Sequence, residues 1–390
     1  IPGAYLLYRR SFPGQQLVKA LITVPFVLPS IVVAVGFTVF RSVHEFYQGL
    51  GLTILADPVY WIIAGHVFVN YSIAVKTIGG VWATLDSDTE SAAELDGAGR
   101  LRTLLSISLP QLRPAIYSAA ALIFLFSATS FGIVLVLGGG QVQTIETAIF
   151  FAATQRLDLE LATALVLVQT LITALAFVVG TKLSGGALGL EQVFEGNRKP
   201  KVDGRDLVAV LLSVVIWVGL LAMPLILVLA QAFTAKGGLG LDNFSNLETR
   251  GARDLLNITF AQAAGNSTRN MVIATAIAFV LGTLIAWLLT RTKSRFLDLV
   301  FLLPLGVSSV VLGFGFLISF DAEWFPLRSS WLIVPLAQAL IALPMVIRLV
   351  YPALVSLGKE PVEQAQLDGA SRWQTWRFIE SRMIRGVLVT

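Results

Sequence analysis

Two stretches of this chain repeat the same residue types at the same spacing. Residues 91–113 lie over 363–385 at a constant offset of 272, with identities at Ala93/Ala365, Leu95/Leu367, Asp96/Asp368, Gly97/Gly369, Ala98/Ala370, Arg100/Arg372, Thr103/Thr375, Ile107/Ile379 and Arg113/Arg385. Chance would supply about one or two in such a window, so the chain contains an internal duplication. Each copy has an Ala-rich start, then Asp-Gly-Ala, with an isoleucine ten residues after the glycine. A single Asp-Gly-Ala is ordinary turn chemistry. In two copies it describes a helix stopped by glycine and followed by a second helix, because glycine takes left-handed backbone angles at little cost. Such a unit suits mechanical docking: small alanines permit close seating in a partner's cleft, and flanking charges orient it.

Residues suited to covalent chemistry are scarce. Cysteine is absent and there are two histidines, His44 and His66. No His-Glu-x-x-His, Gly-x-Ser-x-Gly or Gly-x-x-x-x-Gly-Lys-Ser/Thr pattern occurs, so the chain reads as no enzyme, and any ATP hydrolysis must come from another chain. The remaining candidates are polar groups inside apolar runs, where ionisable residues are expensive. Lys76 and Arg348 share the offset of 272. They read either as side chains snorkelling to the interface or as paired basic gates on a pathway. His66, aligned with Gln338, and Asn70 are further pathway candidates beside the packing role usual for a lone histidine. Ser130 and Ser308 are weaker ones, since small hydroxyl residues, with Ser127, Thr129 and Ser309, also serve helix contacts. No group of Asp, Glu, His and Tyr with metal-ligand character falls in the runs, so no metal site is expected.

The elements that would carry these groups are membrane helices. The chain has 390 residues, 56% hydrophobic and 13% charged, whereas a soluble domain carries about a quarter charged residues. Apolar runs predict spans at 18–40, 59–81, 114–137, 159–181, 207–232, 269–290, 297–319 and 331–351. Alternate loops divide the basic residues unevenly, 18 in one set and 6 in the other, and the richer set contains both repeated loops. By the positive-inside rule those loops are cytoplasmic. The same scatter of basic residues through short loops argues against a nucleic-acid surface, despite the formal charge of +4. No signal peptide is visible, and both ends read as cut: Ile1–Tyr8 looks like the last turns of a helix, and 386–390 begins an apolar run that stops.

The match extends beyond the loops. Ala4–Arg9 resembles Ala286–Arg291, and Pro25 through Phe37 resembles Pro304 through Phe316. The expected organisation is a first repeat over 1–181 with its loop at 86–113, a connector at 182–205, and a second repeat over 206–390 with its loop at 356–385. Parallel repeats imply a pseudo-twofold axis along the membrane normal, with a pathway where they meet.

The paired loops resemble the EAA loop of ABC importer permeases, whose pattern is Glu-Ala-Ala, three residues, Gly, nine residues, then Ile-x-Leu-Pro. The first copy has Ser91 in the Glu position with Glu90 beside it, and keeps Ile107-Ser-Leu-Pro110. The second has Glu363 and ends in Ser381-Arg382. The resemblance covers nearly the whole chain and points to the thiamine and iron(III) branch of that family. The residues nearest to thiamine permeases are Leu7–Gly14, Gly65–Asn70, Ser130–Gly140, Thr144–Phe150 and Phe378–Arg382. It implies an all-α membrane protein with two helix bundles of the type I importer fold fused in one chain. It also implies about twelve spans, so the first one or two helices and the last two would be missing here. The coupling residues it implies are Glu90, Ala92, Ala93, Asp96, Gly97, Ala98 and Arg100, with Glu363, Ala365, Asp368, Gly369, Ala370 and Arg372 in the second copy. Implied partners are two copies of an ATPase, which would hold ATP and Mg²⁺, a periplasmic or lipid-anchored binding protein, and the lipid of a bacterial inner membrane. The chain itself would need no cofactor. Thiamine or a thiamine phosphate is the expected solute, with iron(III) as the alternative and a secondary transporter as a more distant rival.

Overall fold

Local stop and start signals set the helix boundaries. In the computed structural model of the chain, residues 1–42, 57–183, 200–235, 238–245, 258–292, 307–320, 330–356, 364–365 and 367–380 are described, with residues 49, 51, 247 and 301 between them. Contacts divide the chain into two units, Ile1–Phe244 and Ser245–Thr390.

In the first unit a short helix α1 (Pro2–Arg9) leads into α2 (Gln15–Val27) and α3 (Ser30–Ser42). The straight span expected at 18–40 is therefore a correction: the two helices meet at a bend of 101°. Pro29 explains the break, because its ring disfavours helical angles in the residue before it, and Leu28 sits in an extended conformation. At 13 residues α2 is about 20 Å long, too short to cross about 30 Å of hydrocarbon.

Helix α4 (Pro58–Thr84) starts on Asp57, whose carboxylate accepts a hydrogen bond from the Val59 amide at 2.8 Å, with proline in the first turn. After the short helix α5 (Ser87–Leu95) comes α6 (Arg100–Ala128), broken into a π-turn at Leu104–Ser108. The span expected at 114–137 is a second correction, since α6 ends at Ala128 and a separate helix α7 runs from Gly132–Gly138. Hydroxyl groups compete with the helix here: the Thr129 Oγ1 and amide both donate to the Leu125 carbonyl. Then come α8 (Ile145–Phe151), α9 (Leu159–Leu183) and α10 (Gly204–Ala232), and a two-residue hairpin pairs Thr234–Ala235 with Gly238–Leu239.

Helix α4 is the centre of this unit, packed by α1, α2, α3, α6 and α7. Gly79 lets α1 approach closely: a Cβ there would lie 2.2 Å from the Tyr8 ring. The core gathers Leu7, Phe37, Phe68, Trp82, Leu112, Ile133 and Leu137. Helix α10, although it opens the second sequence repeat, packs against α1 and α3 of this unit, and its Trp217 Nε1 donates to the Tyr71 hydroxyl on α4 at 3.0 Å. Large apolar side chains on α9 and α10, including Leu167, Leu171, Leu175, Val208 and Val215, are exposed, as lipid-facing positions are.

In the second unit α11 (Phe260–Thr292) lies along α13 (Ile333–Ser356), with α12 (Ser309–Ser319) between them in sequence. Ala286, Leu289, Leu343, Ile347, Val350 and Leu354 form its core. The span expected at 269–290 extends at both ends, and of that expected at 297–319 only residue 301 and the stretch from 307 are described. A last turn, α14 (Arg372–Thr375), runs into a π-turn at Trp376–Glu380. Among the described residues six helices are long and apolar enough to cross a membrane, or seven if the bent pair α2–α3 counts as one span.

Candidate functional site: the paired loops

Around their glycines the described residues of the two repeated loops make the same backbone bonds. Gly97 and Gly369 both adopt left-handed angles, at φ +84° and +86°. Before each glycine the Asp96 amide donates to the Ala92 carbonyl and the Asp368 amide to the Gln364 carbonyl, both at 3.0 Å. After each, the Ala98 amide reaches the Ala93 carbonyl and the Ala370 amide the Ala365 carbonyl, both at 2.9 Å. These bonds close the ends of a helix over a left-handed residue, as glycine termination requires. The next turn repeats as well. Thr103 and Thr375 are buried, and their amides donate to the Gly99 and Ser371 carbonyls at 3.0 and 2.9 Å. Each is followed at once by a π-turn, Leu104–Ser108 and Trp376–Glu380.

At the tip of each loop the residue two before the glycine is a leucine in the open, Leu95 at 89% exposure and Leu367 at 87%. Leu101 and Trp373, again a pair at the offset of 272, are exposed too. In the sequence this pair is visible only as the Leu95/Leu367 identity, an apolar residue kept in both copies of a polar loop.

The two copies are anchored differently. In the first, Glu90 accepts from Arg9 Nη2 and, at 2.7 Å, from the Ser108 hydroxyl, while Arg9 Nη1 also reaches the Leu85 carbonyl at 2.9 Å. Glu90 thus ties the loop's first helix to α1 and to the π-turn. Arg100 donates to Asp206 at the head of α10 at 3.0 Å, and its other terminal nitrogen lies 3.7 Å from Asp203. Asp206 also accepts from the Tyr5 hydroxyl and from Arg10 Nε, each at 2.9 Å. Burial works against the charge on Arg10, but Tyr5, Asp206 and Asp203 outweigh it and hold its pKa above the ordinary arginine value. Tyr5, Arg9, Arg10, Asp203 and Asp206 were all missed from sequence. In the second copy the π-turn is held by an aromatic contact, with Trp376 and Trp287 in an edge-to-face pair at 6.2 Å and Arg291 over the Trp287 ring at 5.4 Å.

Of the other loop residues, Ala365 is buried and Asp368 exposed. Glu363 lies outside the described residues, and Arg372 is described as the first residue of α14 without its side chain.

The pathway candidates are placed as follows. His66 and Asn70 face the same side of α4 one turn apart. The Asn70 amide nitrogen donates to the His66 carbonyl at 2.9 Å and to the Ser127 hydroxyl of α6 at 3.2 Å. Ser130 is half-buried in the break after α6, its amide on the Ser127 carbonyl at 3.2 Å. Lys76 is half-buried on α4. In the second unit Ser308 caps α12 by accepting from the Val311 amide at 3.0 Å, Gln338 is exposed and Arg348 half-buried on α13.

The family described as binding-protein-dependent transport system inner membrane component matches residues 1–186 and 278–390, and each matched piece contains one of the loops. A thiamine transport system permease protein of Salmonella typhimurium is 26% identical over 99% of this chain and 72% of its own length. A sulfate transport system permease protein of the same organism is 32% identical over 42% of this chain and 60% of its own length. A molybdate/tungstate transport system permease protein of Thermococcus kodakarensis is 31% identical over 35% of this chain and 51% of its own length. No solved structure matches the chain.

Proposed function

Because this chain belongs to the family of binding-protein-dependent transport system inner membrane components, the permeases of ABC importers, we propose that its two loops are the seats of a separate ATPase. One observation carries the proposal: at Gly97 and Gly369 the same left-handed stop presents the same leucine, almost fully exposed, two residues before the glycine. A large apolar side chain held that far from any core is suited to a partner's pocket. Two equivalent seats fit two ATPase copies, which would hold ATP and Mg²⁺. Closure of those copies would move the loops and rock the helices attached to them. Glu90, Ala92, Ala93, Asp96, Gly97, Ala98 and Arg100, and their counterparts from Glu363 to Arg372, would form the seats.

For the solute, likeness to a thiamine permease along almost the whole chain favours thiamine or a thiamine phosphate, delivered by an extracytoplasmic binding protein. The Asn70, His66 and Ser127 group on α4 and α6, with Ser130, Lys76, Ser308, Gln338 and Arg348, is the candidate lining of the pathway. The sulfate and molybdate/tungstate relatives, each alike over less than half of the chain, favour a second reading, an oxyanion.

The experiment is ATP-dependent uptake in proteoliposomes carrying the chain, its ATPase and its binding protein, with thiamine, sulfate, molybdate and ferric iron offered in separate arms. Thiamine uptake that stops when ATP is withheld is the expected result. Uptake that proceeds without ATP would refute the importer reading, and uptake of sulfate in place of thiamine would refute the choice of solute.

A further inference from the structure

We propose that Asp206 is a positioning residue for coupling: it fastens the first loop, through Arg100, to the head of α10, so that displacement of the loop is passed to that helix. This rests on the reading of the loops as ATPase seats.

Asp206 is 3% exposed and its carboxylate is fully engaged. One oxygen accepts from Tyr5 and Arg100, and the other from Arg10 and, at 3.1 Å, from the Asp203 amide. These donors come from three separate places, α1 with the residue that follows it, the start of α6 just beyond Gly97, and the turn that opens α10. The connector that delivers Asp206 is itself stapled to the chain after α1. The Ser11 amide donates to the Pro200 carbonyl at 2.9 Å, and the Val202 amide to the Ser11 carbonyl at 3.2 Å. Residues 200–206 therefore run as a strap from α1 to α10, with Asp206 as the buckle.

Stability alone does not account for this arrangement. Buried ion pairs are often replaceable by apolar groups without loss, and their best-attested use is to fix register between elements. Here the register fixed is that of loop against helix. Of the two guanidinium groups, Arg10 is nearly buried, while Arg100 is 36% exposed and sits on the loop side. Arg100 is therefore the arm that moves with the loop, and the Arg10–Tyr5–Asp206 group is the fixed end. The arm also carries an orientation. A planar guanidinium held by two carboxylates, Asp206 and Asp203, resists rotation as well as translation. A loop joined to α10 only by backbone and apolar contact could swing without turning the helix.

The test uses the full chain reconstituted with ATPase and binding protein, and reads ATP hydrolysed per solute taken up. D206N keeps the shape and removes the charge; R100M removes the arm and leaves Asp206 with Arg10 and Tyr5. D206N should bind the ATPase like wild type and hydrolyse ATP, while the ATP consumed per solute rises about tenfold; R100M, at a residue that is itself part of the seat, should show the same rise in the fraction that has ATPase bound. D206E, which keeps the charge, should restore most of the coupling. An unchanged ratio in both D206N and R100M would overturn the proposal. So would failure of D206N to accumulate while R100M behaves as wild type, because the residue would then only hold the fold. Lower ATPase affinity with a normal ratio in the bound fraction would overturn it as well. A wild-type chain that binds no ATPase would sink the reading of the loops first, and this inference with it.

Discussion

Truncation of the exposed leucines separates docking from folding. Leu95 and Leu367 touch almost nothing within the chain, so L95A and L367A should each change its own stability by no more than about 0.5 kcal/mol. On docking the balance differs. Leu→Ala removes roughly three carbon groups, and at about 0.8 kcal/mol for each one buried, a knob that becomes fully enclosed loses about 2 kcal/mol of binding. That corresponds to a roughly 30-fold weaker dissociation constant for one loop. Because each knob seats its own ATPase copy, the double variant should weaken both sites about 30-fold, a loss of about 4 kcal/mol for the pair. The assay is equilibrium titration of labelled ATPase onto the chain in lipid nanodiscs, with thermal unfolding of each variant in parallel. Leu171, equally apolar and exposed at 60% on α9, gives the control L171A, which should leave affinity unchanged. A double variant that binds within about twofold of wild type would refute the reasoning, since that difference is no larger than ordinary surface substitutions produce.

Two further outcomes are expected. At Gly97 and Gly369 a Cβ meets nothing within 4 Å, so G97V or G369V is opposed only by the left-handed backbone, at about 1–2 kcal/mol per position. Each should loosen its own loop and lower ATP hydrolysis stimulated by the binding protein, without reducing the amount of chain in the membrane. Gln169 Nε2 donates at 3.0 Å to the Ala128 carbonyl left free where α6 stops, so Q169L should cost about 1–3 kcal/mol. Thermal unfolding in detergent would register that cost, and a melting curve identical to wild type would show that the carbonyl has another partner.

The loops could be read in the sequence because everything that shapes them is local. Glycine five residues after Ala92, a threonine six residues beyond the glycine and the offset of 272 together specify the turn, whatever packs around it. Most long helices were legible for the same reason, as apolar runs of sufficient length. The two misread spans show where hydropathy averages fail. Pro29 and the hydroxyls at 127–130 interrupt the backbone without lowering the apolar character of a wide window, so the breaks at Leu28 and Ala128 were hidden within runs that looked continuous. Asp206 was beyond reach altogether. Its side-chain partners lie 106, 196 and 201 residues away, and no nearby residue signals that they converge.

The bend between α2 and α3 constrains how the protein can be made. A helix of 13 residues cannot settle across the bilayer unaided, and the carbonyls freed at the turn are poorly tolerated by hydrocarbon. Helix α3 beyond that corner is covered in part by α10: a Cβ on Gly36 would lie 3.0 Å from Val228 and 3.4 Å from the Pro224 carbonyl. Those wall residues leave the ribosome nearly two hundred positions later, so the early hairpin must wait at the membrane, half-seated, until the later helix arrives to close over it.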